Sequence, residues 1–268
     1  MNAANTIKDP ILIQNDFGYR YSIEPFLLAN FAQLLPNQKV LDIGTGCGII
    51  PLLMVFREPT LKVTGIEIQD TKNAEKNVSN NKMGIKIVHD DFLDWAQRVE
   101  FEQFDLIVSN PPYRKINSGR TNPDPGKAIA RHELKLNLSS MFDKAQPILK
   151  KGGHITLAYP PIRLQETLGE LESRELFPSR IRFIHGNQNV GAKIFLVDAI
   201  KEKKSDLIVD SPLYVYNKDG SYSKEMQEIY DSFNCIDGPD HIGKKWNGSG
   251  TGKQTKHWNY QCGFHAGL

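Results

Sequence analysis

Asn110-Pro111-Pro112-Tyr113 directly follows the apolar run Leu106-Ile107-Val108 and the small Ser109. The Asn110 side-chain oxygen and the Pro111 carbonyl make a pair of acceptors on adjacent residues. Two successive prolines restrict φ and hold such a pair in place before any reaction. The arrangement suits one chemistry in particular. The NH2 of an adenine or of a carboxamide is planar, and its delocalised lone pair makes it a poor nucleophile. Two acceptors aimed at its hydrogens draw it toward tetrahedral geometry and localise that lone pair, a case of electrostatic preorganisation. No strong general base is needed, because the proton can leave once the nitrogen has been alkylated. Tyr113 adds a face on which a base can stack, worth roughly 1–3 kcal/mol in nucleic-acid complexes. Alone, the tetrapeptide reads equally as a strand-ending Asn-Pro turn. Its neighbours in the sequence weigh against that.

A second motif, Leu41-Asp42-Ile43-Gly44-Thr45-Gly46-Cys47-Gly48, joins a short apolar strand to a helix. Glycines at every second position suit a backbone that turns sharply and approaches a ligand closely. In open α/β sheets that ligand lies beyond the carboxyl ends of the strands. The spacing is not the G-x-G-x-x-G of dinucleotide folds, which cradles a pyrophosphate on a helix N-terminus. S-adenosylmethionine (AdoMet), whose methionine end is zwitterionic and carries no phosphate, fits the shorter loop. Asp42, Gly44, Thr45, Gly46 and Gly48 are the candidates around it, with Asp42 placed for an amino group. Glu67 ends the next strand 19 positions after Gly48, where a carboxylate can accept both ribose hydroxyls. Asp90-Asp91-Phe92 follows a third strand. Asp91 is the better candidate for an adenine amino group, and Phe92 can pack on the ring. Asp91 equally suits the N-cap of a helix starting at 92. Asn110 borders this cofactor set, and Tyr19, in Gly18-Tyr19-Arg20-Tyr21-Ser22, can close over it.

The partner classes are bounded by charge. The chain has 268 residues, a formal net charge of +2 and a pI near 8.3, so it lacks the strong overall basicity of proteins that bind mainly through phosphates. Local charge differs. Between 111 and 135, Arg114, Lys115, Arg120, Lys127, Arg131 and Lys135 oppose only Asp124 and Glu133, a net of +4. A basic loop just after the tetrapeptide can bind phosphates, with Arg114, Lys115, Arg120 and Arg131 as the candidate substrate contacts alongside Tyr113. It also fits an ordinary solvated loop. Cys47, Cys235 and Cys262 are irregularly spaced and make no disulfide framework. No His/Cys pair in the tail has metal-ligand spacing, so no metal is expected. The polar N-terminus is not a signal peptide. No apolar run approaches the roughly 20 residues of a membrane span. The expectation is a cytoplasmic protein without membrane association.

The elements that must position these groups alternate. Helices are expected at 22–35, 49–57, 70–81, 91–98, 133–149 and 162–175, and strands at 39–43, 61–68, 85–89, 104–109 and 154–159. The last two strands, 180–184 and 193–200, have nothing helical between them. Such alternation gives a doubly wound, mostly parallel sheet with helices on both faces, and a closing hairpin makes one strand antiparallel. Residues 206–233 read as an ordered extension, with Leu213-Tyr214-Val215-Tyr216, a turn at Asp219-Gly220 and a short helix. From 235 the chain is glycine-rich and without period, so 1–234 is expected as one domain and 235–268 as a poorly ordered tail.

Asp42 to Gly48 together with Asn110-Pro111-Pro112-Tyr113 resembles the Rossmann-like class I AdoMet-dependent methyltransferases that modify amino nitrogens. Phe17-Gly18-Tyr19-Arg20-Tyr21-Ser22 before a helix resembles the bacterial tRNA1(Val) adenine-N6 methyltransferase family. Ala130-Arg131-His132-Glu133 and Tyr222-Ser223-Lys224-Glu225-Met226 are similar to it as well, so the match spans about 5–233. The resemblance implies a seven-stranded sheet with an antiparallel seventh strand, AdoMet as donor, and an anticodon-adjacent adenosine of a tRNA as target. The tail departs from that pattern. Glutamine-N5 methyltransferases of release factors share the tetrapeptide but carry a helical domain before the glycine loop. Guanine-N2 rRNA methyltransferases favour Phe where Tyr113 stands. DNA adenine methyltransferases carry a sizeable recognition domain. A non-catalytic RNA-binding protein on the same fold would have no use for Asn110 and Glu67. A monomer is the expected state.

Overall fold

The computed structural model describes residues 23–111 and 138–233. Seven main strands are present: β1 (Lys39–Ile43), β2 (Lys62–Glu67), β3 (Lys86–His89), β4 (Phe104–Ser109), β5 (Leu149–Tyr159), β6 (Leu176–His185) and β7 (Ala192–Lys201). Two two-residue strands, β8 (Ile208–Val209) and β9 (Leu213–Tyr214), follow them. The helices are α1 (Glu24–Phe31), α2 (Ile49–Arg57), α3 (Lys72–Asn80), α4 (Phe92–Trp95), α5 (Leu138–Ile148), α6 (Leu164–Glu172) and α7 (Lys224–Ser232).

The strands form one sheet in the order β3-β2-β1-β4-β5-β7-β6-β8, with β9 also on β6. Pairing is parallel from β3 through β5. β7 runs antiparallel to both β5 and β6. The mostly parallel sheet with one antiparallel strand is therefore present, extended by β8 and β9 beyond the seven strands expected. The connection from β1 goes to β2 on one side, and β4 lies on the other. This switch in direction opens a crevice at the carboxyl ends of β1 and β4.

Both faces of the sheet are covered. Phe26, Leu27, Val40, Leu52, Leu106, Val108 and Met226 belong to the apolar cluster under α1, α2 and α7. Leu41, Ile43, Ile107, Phe142, Ile155 and Leu171 belong to the one under α4, α5 and α6. Burial of each such side chain contributes about 1.5–3 kcal/mol. Two-sided burial is why β4 reads as a continuous apolar run rather than an alternating one.

Several boundaries differ from expectation for identifiable reasons. α1 ends at Phe31, not near 35. The Arg57 guanidinium donates to the carbonyls of Ala29, Asn30 and Ala32, the last two at 3.3 Å. It thereby satisfies terminal carbonyls that a longer helix would have bonded internally. Ser22, the first residue of the helix expected at 22–35, lies outside the described residues. β5 begins at Leu149, not 154, so the helix expected at 133–149 ends at Ile148; residues 133–137 lie outside the described residues. Leu149 pairs with Phe104, after which the register shifts before Leu106 meets His154. Gly152 takes φ +70° in this irregular stretch, so Gly152 and Gly153 lie within the strand rather than ahead of it. The helix read at 91–98 is one α-helical turn continued by a tighter turn over Ala96–Arg98. The expected tail, 235–268, lies outside the described residues.

Candidate active site

The glycine loop is held in place by backbone bonds to β2. Gly44 and Thr45 N–H groups both donate to the Ile66 carbonyl, at 2.9 and 3.0 Å. Gly44, Gly46 and Gly48 have φ of +75°, +56° and +79°, so each alternating glycine occupies left-handed backbone that other residues adopt only with strain. The Gly46 N–H donates to Glu67 Oε2 at 2.8 Å, and the Gln69 N–H donates to Glu67 Oε1 at 2.9 Å. Glu67 is thus oriented by the loop it is expected to serve. Each of its oxygens retains a second lone pair for another donor.

Parallel register aligns the site. Ile66, Ile43, Ser109 and Leu157 face one another across β2, β1, β4 and β5. Glu67, Gly44 and Asn110 are each one residue further on. With strands about 4.8 Å apart, these three stand within roughly 10 Å of each other along the carboxyl edge. The Ser109 hydroxyl donates to the Ile43 carbonyl at 2.8 Å and ties the end of β4 to the start of the glycine loop. Asn110 is half-buried and Pro111 buried. Pro112, Tyr113, Arg114, Lys115, Arg120 and Arg131 lie outside the described residues, as does Tyr19.

At the end of β3 the two aspartates separate in role. The Asp90 N–H donates to the Glu67 carbonyl at 2.9 Å, and the Asp90 carboxylate pairs with Arg98. Asp91 Oδ1 accepts from the Leu93 N–H at 2.8 Å as the N-cap of α4, which leaves Oδ2 outside the cap. Phe92 is 5% exposed, within the apolar cluster that holds Ile43 and Ile66. Its ring is a core residue and not an open stacking surface.

The most unusual electrostatics surround Asp42. It is fully buried, and among the described residues neither of its oxygens nor the buried Thr45 hydroxyl makes a geometrically complete hydrogen bond. Burial pushes the Asp42 carboxyl up to about 7; the nearby Thr45 hydroxyl opposes the shift and Glu67 adds to it. Buried acceptors without donors are costly unless a ligand supplies them. The methionine end of AdoMet carries an α-ammonium, and the ribose carries two hydroxyls. Asp42, Thr45 and Glu67 are the acceptors that those donors require, so the residues present fit this cofactor.

Three contributors carry no motif. Asn77, fully buried on α3, donates through Nδ2 to the Cys47 carbonyl at 2.8 Å. Gly65 on β2 leaves the space that Thr45 fills: a Cβ there would meet Thr45 Oγ1 at 2.6 Å and Cβ at 2.9 Å. Rotating the threonine side chain does not relieve a clash with its own Cβ. Gly65→Ala is therefore expected to displace the loop and weaken AdoMet binding by about ten-fold, with a fold destabilised by about 1–3 kcal/mol. Calorimetry and thermal unfolding together check this. Glu24 is the third. Arg57, at the end of α2, bonds the last turn of α1, so the two packed helices share their C-terminal ends. Glu24 stands in the first turn of α1, the helix that packs on α2. Its Oε2 is buried with no partner among the described residues, and burial raises its pKa. A buried asparagine, a mid-strand glycine and a helix-end acid are visible in the sequence, but nothing in their spacing links them to the loop.

Strand order, reversed β7 and a glycine loop facing an acid on β2 define a class I AdoMet-dependent methyltransferase. The same architecture recurs in a predicted O-methyltransferase from Agrobacterium tumefaciens (TM-score 0.61, 20% identity, 78% of this chain and 96% of that one). It recurs also in a class I S-adenosylmethionine-dependent methyltransferase from Listeria monocytogenes (TM-score 0.52, 13% identity, 79% and 69%). The methyltransferase small domain model matches residues 24–173. A Porphyromonas gingivalis protein named tRNA1(Val) (adenine(37)-N6)-methyltransferase is 31% identical over 207 residues, 73% of this chain and 79% of its own length. A Flavobacteriaceae bacterium protein of the same name is 27% identical over 204 residues, 75% and 84%. The chain belongs to this tRNA1(Val) (adenine(37)-N6)-methyltransferase family, within the methyltransferase small domain group. Among the described residues no helix is long and apolar enough to cross a membrane, and no three His, Cys, Asp or Glu side chains gather as a metal site.

Proposed function

We propose that the chain transfers the methyl group of AdoMet to the exocyclic N6 of adenosine 37 in tRNA1(Val), in the cytoplasm, through a single domain spanning 1–234. The observation that carries this is the position of Asn110-Pro111 at the end of β4, in one row with Gly44 and Glu67. AdoMet supplies an electrophilic methyl on a sulfonium. Glu67 holds the ribose hydroxyls, Asp91 the adenine amino group through Oδ2, and Asp42 with Thr45 the methionine end. The Asn110 side-chain oxygen and the Pro111 carbonyl accept the two hydrogens of the target amino group, localise its lone pair and aim it along the edge of the sheet. Pro112 stiffens this pair, and Tyr113 stacks the target base. Arg114, Lys115, Arg120 and Arg131 bind the flanking phosphates, and Tyr19 closes over the cofactor.

The direct test incubates the protein with labelled AdoMet and, in parallel, tRNA, rRNA, DNA and release factor, then identifies the labelled product. N6-methyladenosine confined to tRNA1(Val) is expected. Label in a release-factor glutamine or as N2-methylguanosine in rRNA would overturn the assignment.

A further inference from the structure

β5 ends at Tyr159, alongside the strand that carries Asn110. Continuing the parallel register places Asn110 beside Ala158 and Pro111 beside Tyr159. Immediately beyond come Pro160-Pro161-Ile162-Arg163. Ile162 is 92% exposed, the most exposed of the large hydrophobic side chains among the described residues. An isolated apolar side chain on a surface is ordinary, but two observations set this one apart. It stands at the carboxyl edge, one strand from the acceptor pair. It is also held there by a built turn.

The Arg163 N–H donates to the Pro160 carbonyl at 2.9 Å, and the Thr167 hydroxyl donates to the Arg163 carbonyl at 2.8 Å. The Arg163 guanidinium pairs with Glu166 and lies 5.7 Å from the centre of the Tyr159 ring. Two prolines and a pinned arginine leave the turn few conformations, so its ordering costs little when something binds. An isoleucine left in water gains nothing from folding. Its rigid projection beside the reaction centre therefore favours a contact made during binding.

We propose that Ile162 is an apolar wedge that enters the RNA stack beside the target adenosine and occupies the space the extruded base leaves. This deepens the tRNA assignment and rests on it. A base inside a stacked loop cannot present its N6 to Asn110 and Pro111 until it is turned out. Proteins that unstack bases commonly insert Ile, Leu, Met, Phe or Pro between them. Ile162 has the side-chain type, the exposure and the stiff support for that task, and the adjoining strand carries the groups that receive the base.

The experiment uses the full chain and tRNA1(Val) with 2-aminopurine at position 37, whose fluorescence rises on unstacking, alongside methylation of the unmodified tRNA. Ile162→Ala is expected to lower kcat/KM for tRNA at least ten-fold and to suppress most of the fluorescence rise. AdoMet affinity and Tm should stay unchanged, and Ile162→Leu should restore both tRNA readouts. Activity within two-fold of wild type would overturn the proposal. So would an Ile162→Ala protein that loses activity but keeps the full fluorescence rise, or one that loses AdoMet affinity in parallel. A wild-type protein that methylates no tRNA would remove the substrate assignment and this inference with it, a result distinct from an active wild type indifferent to Ile162.

Discussion

Asn110→Ala is expected to lower kcat for methyl transfer by about a thousand-fold while AdoMet binding stays within a few-fold of wild type. Removal of one preorganised group at a developing charge typically costs about 10²–10³ in rate, and in the proposed mechanism Asn110 is one of two acceptors on the target nitrogen. The hydrogens of an amino group become more acidic as the methyl is transferred. The hydrogen bonds to Asn110 and Pro111 therefore strengthen toward the transition state, and their loss falls on kcat more than on substrate affinity. Asn110→Asp retains an acceptor and should retain more activity than the alanine variant. Single-turnover methylation and AdoMet calorimetry on the same preparations separate the two effects. A parallel loss of AdoMet affinity and rate would reassign Asn110 to the cofactor alone.

The second large effect concerns stability and pH. An unfolded aspartate titrates near 3.9, whereas Asp42 in the folded chain is raised to about 7 by burial. Between those values the folded protein binds more protons than the unfolded chain, so stability falls as pH rises through this interval and levels off above it. A rise of that size corresponds to roughly 4 kcal/mol. Asp42→Asn removes the titration and nearly preserves shape. In the absence of ligand its Tm should match wild type near pH 4 and exceed it increasingly up to pH 8. A constant Tm difference across that range would mean that Asp42 does not titrate there. AdoMet should act in the opposite direction. Its ammonium favours ionised Asp42, so the Tm increment it gives wild type should grow from pH 5 to pH 8, and that growth should disappear in Asp42→Asn. The expected behaviour is that of a buried acid that destabilises the free fold and is relieved by ligand binding.

Much of this site is legible in the sequence because its residues are chemically demanding and local. Three alternating glycines are needed where the backbone turns through left-handed conformations, and their φ values bear that out. β4 is legible to the residue because a strand buried on both faces has few alternatives to a short apolar run. The edges of elements are less legible. The length of α1 depends on Arg57, 26 positions beyond Phe31 in the chain, and β5 begins five residues before His154, ahead of a register shift that the glycine pair hides.

What the sequence alone determined was the set of groups and their order: a loop of alternating glycines after β1, an acid at the end of β2, an Asn-Pro pair at the end of β4, and the βα alternation that makes the sheet parallel. Those are consequences of residue type and spacing along one segment. Tertiary structure alone decided which groups stand together and in what state. Parallel register sets Glu67, Gly44 and Asn110 in one row. Gly65 makes room for Thr45, Asn77 anchors the Cys47 carbonyl, and Phe92 turns into the core. The full burial of Asp42 among the described residues is likewise invisible in the sequence. Burial and pairing are properties of surroundings assembled from distant segments, and a carboxylate's charge depends on those surroundings more than on its neighbours in the chain.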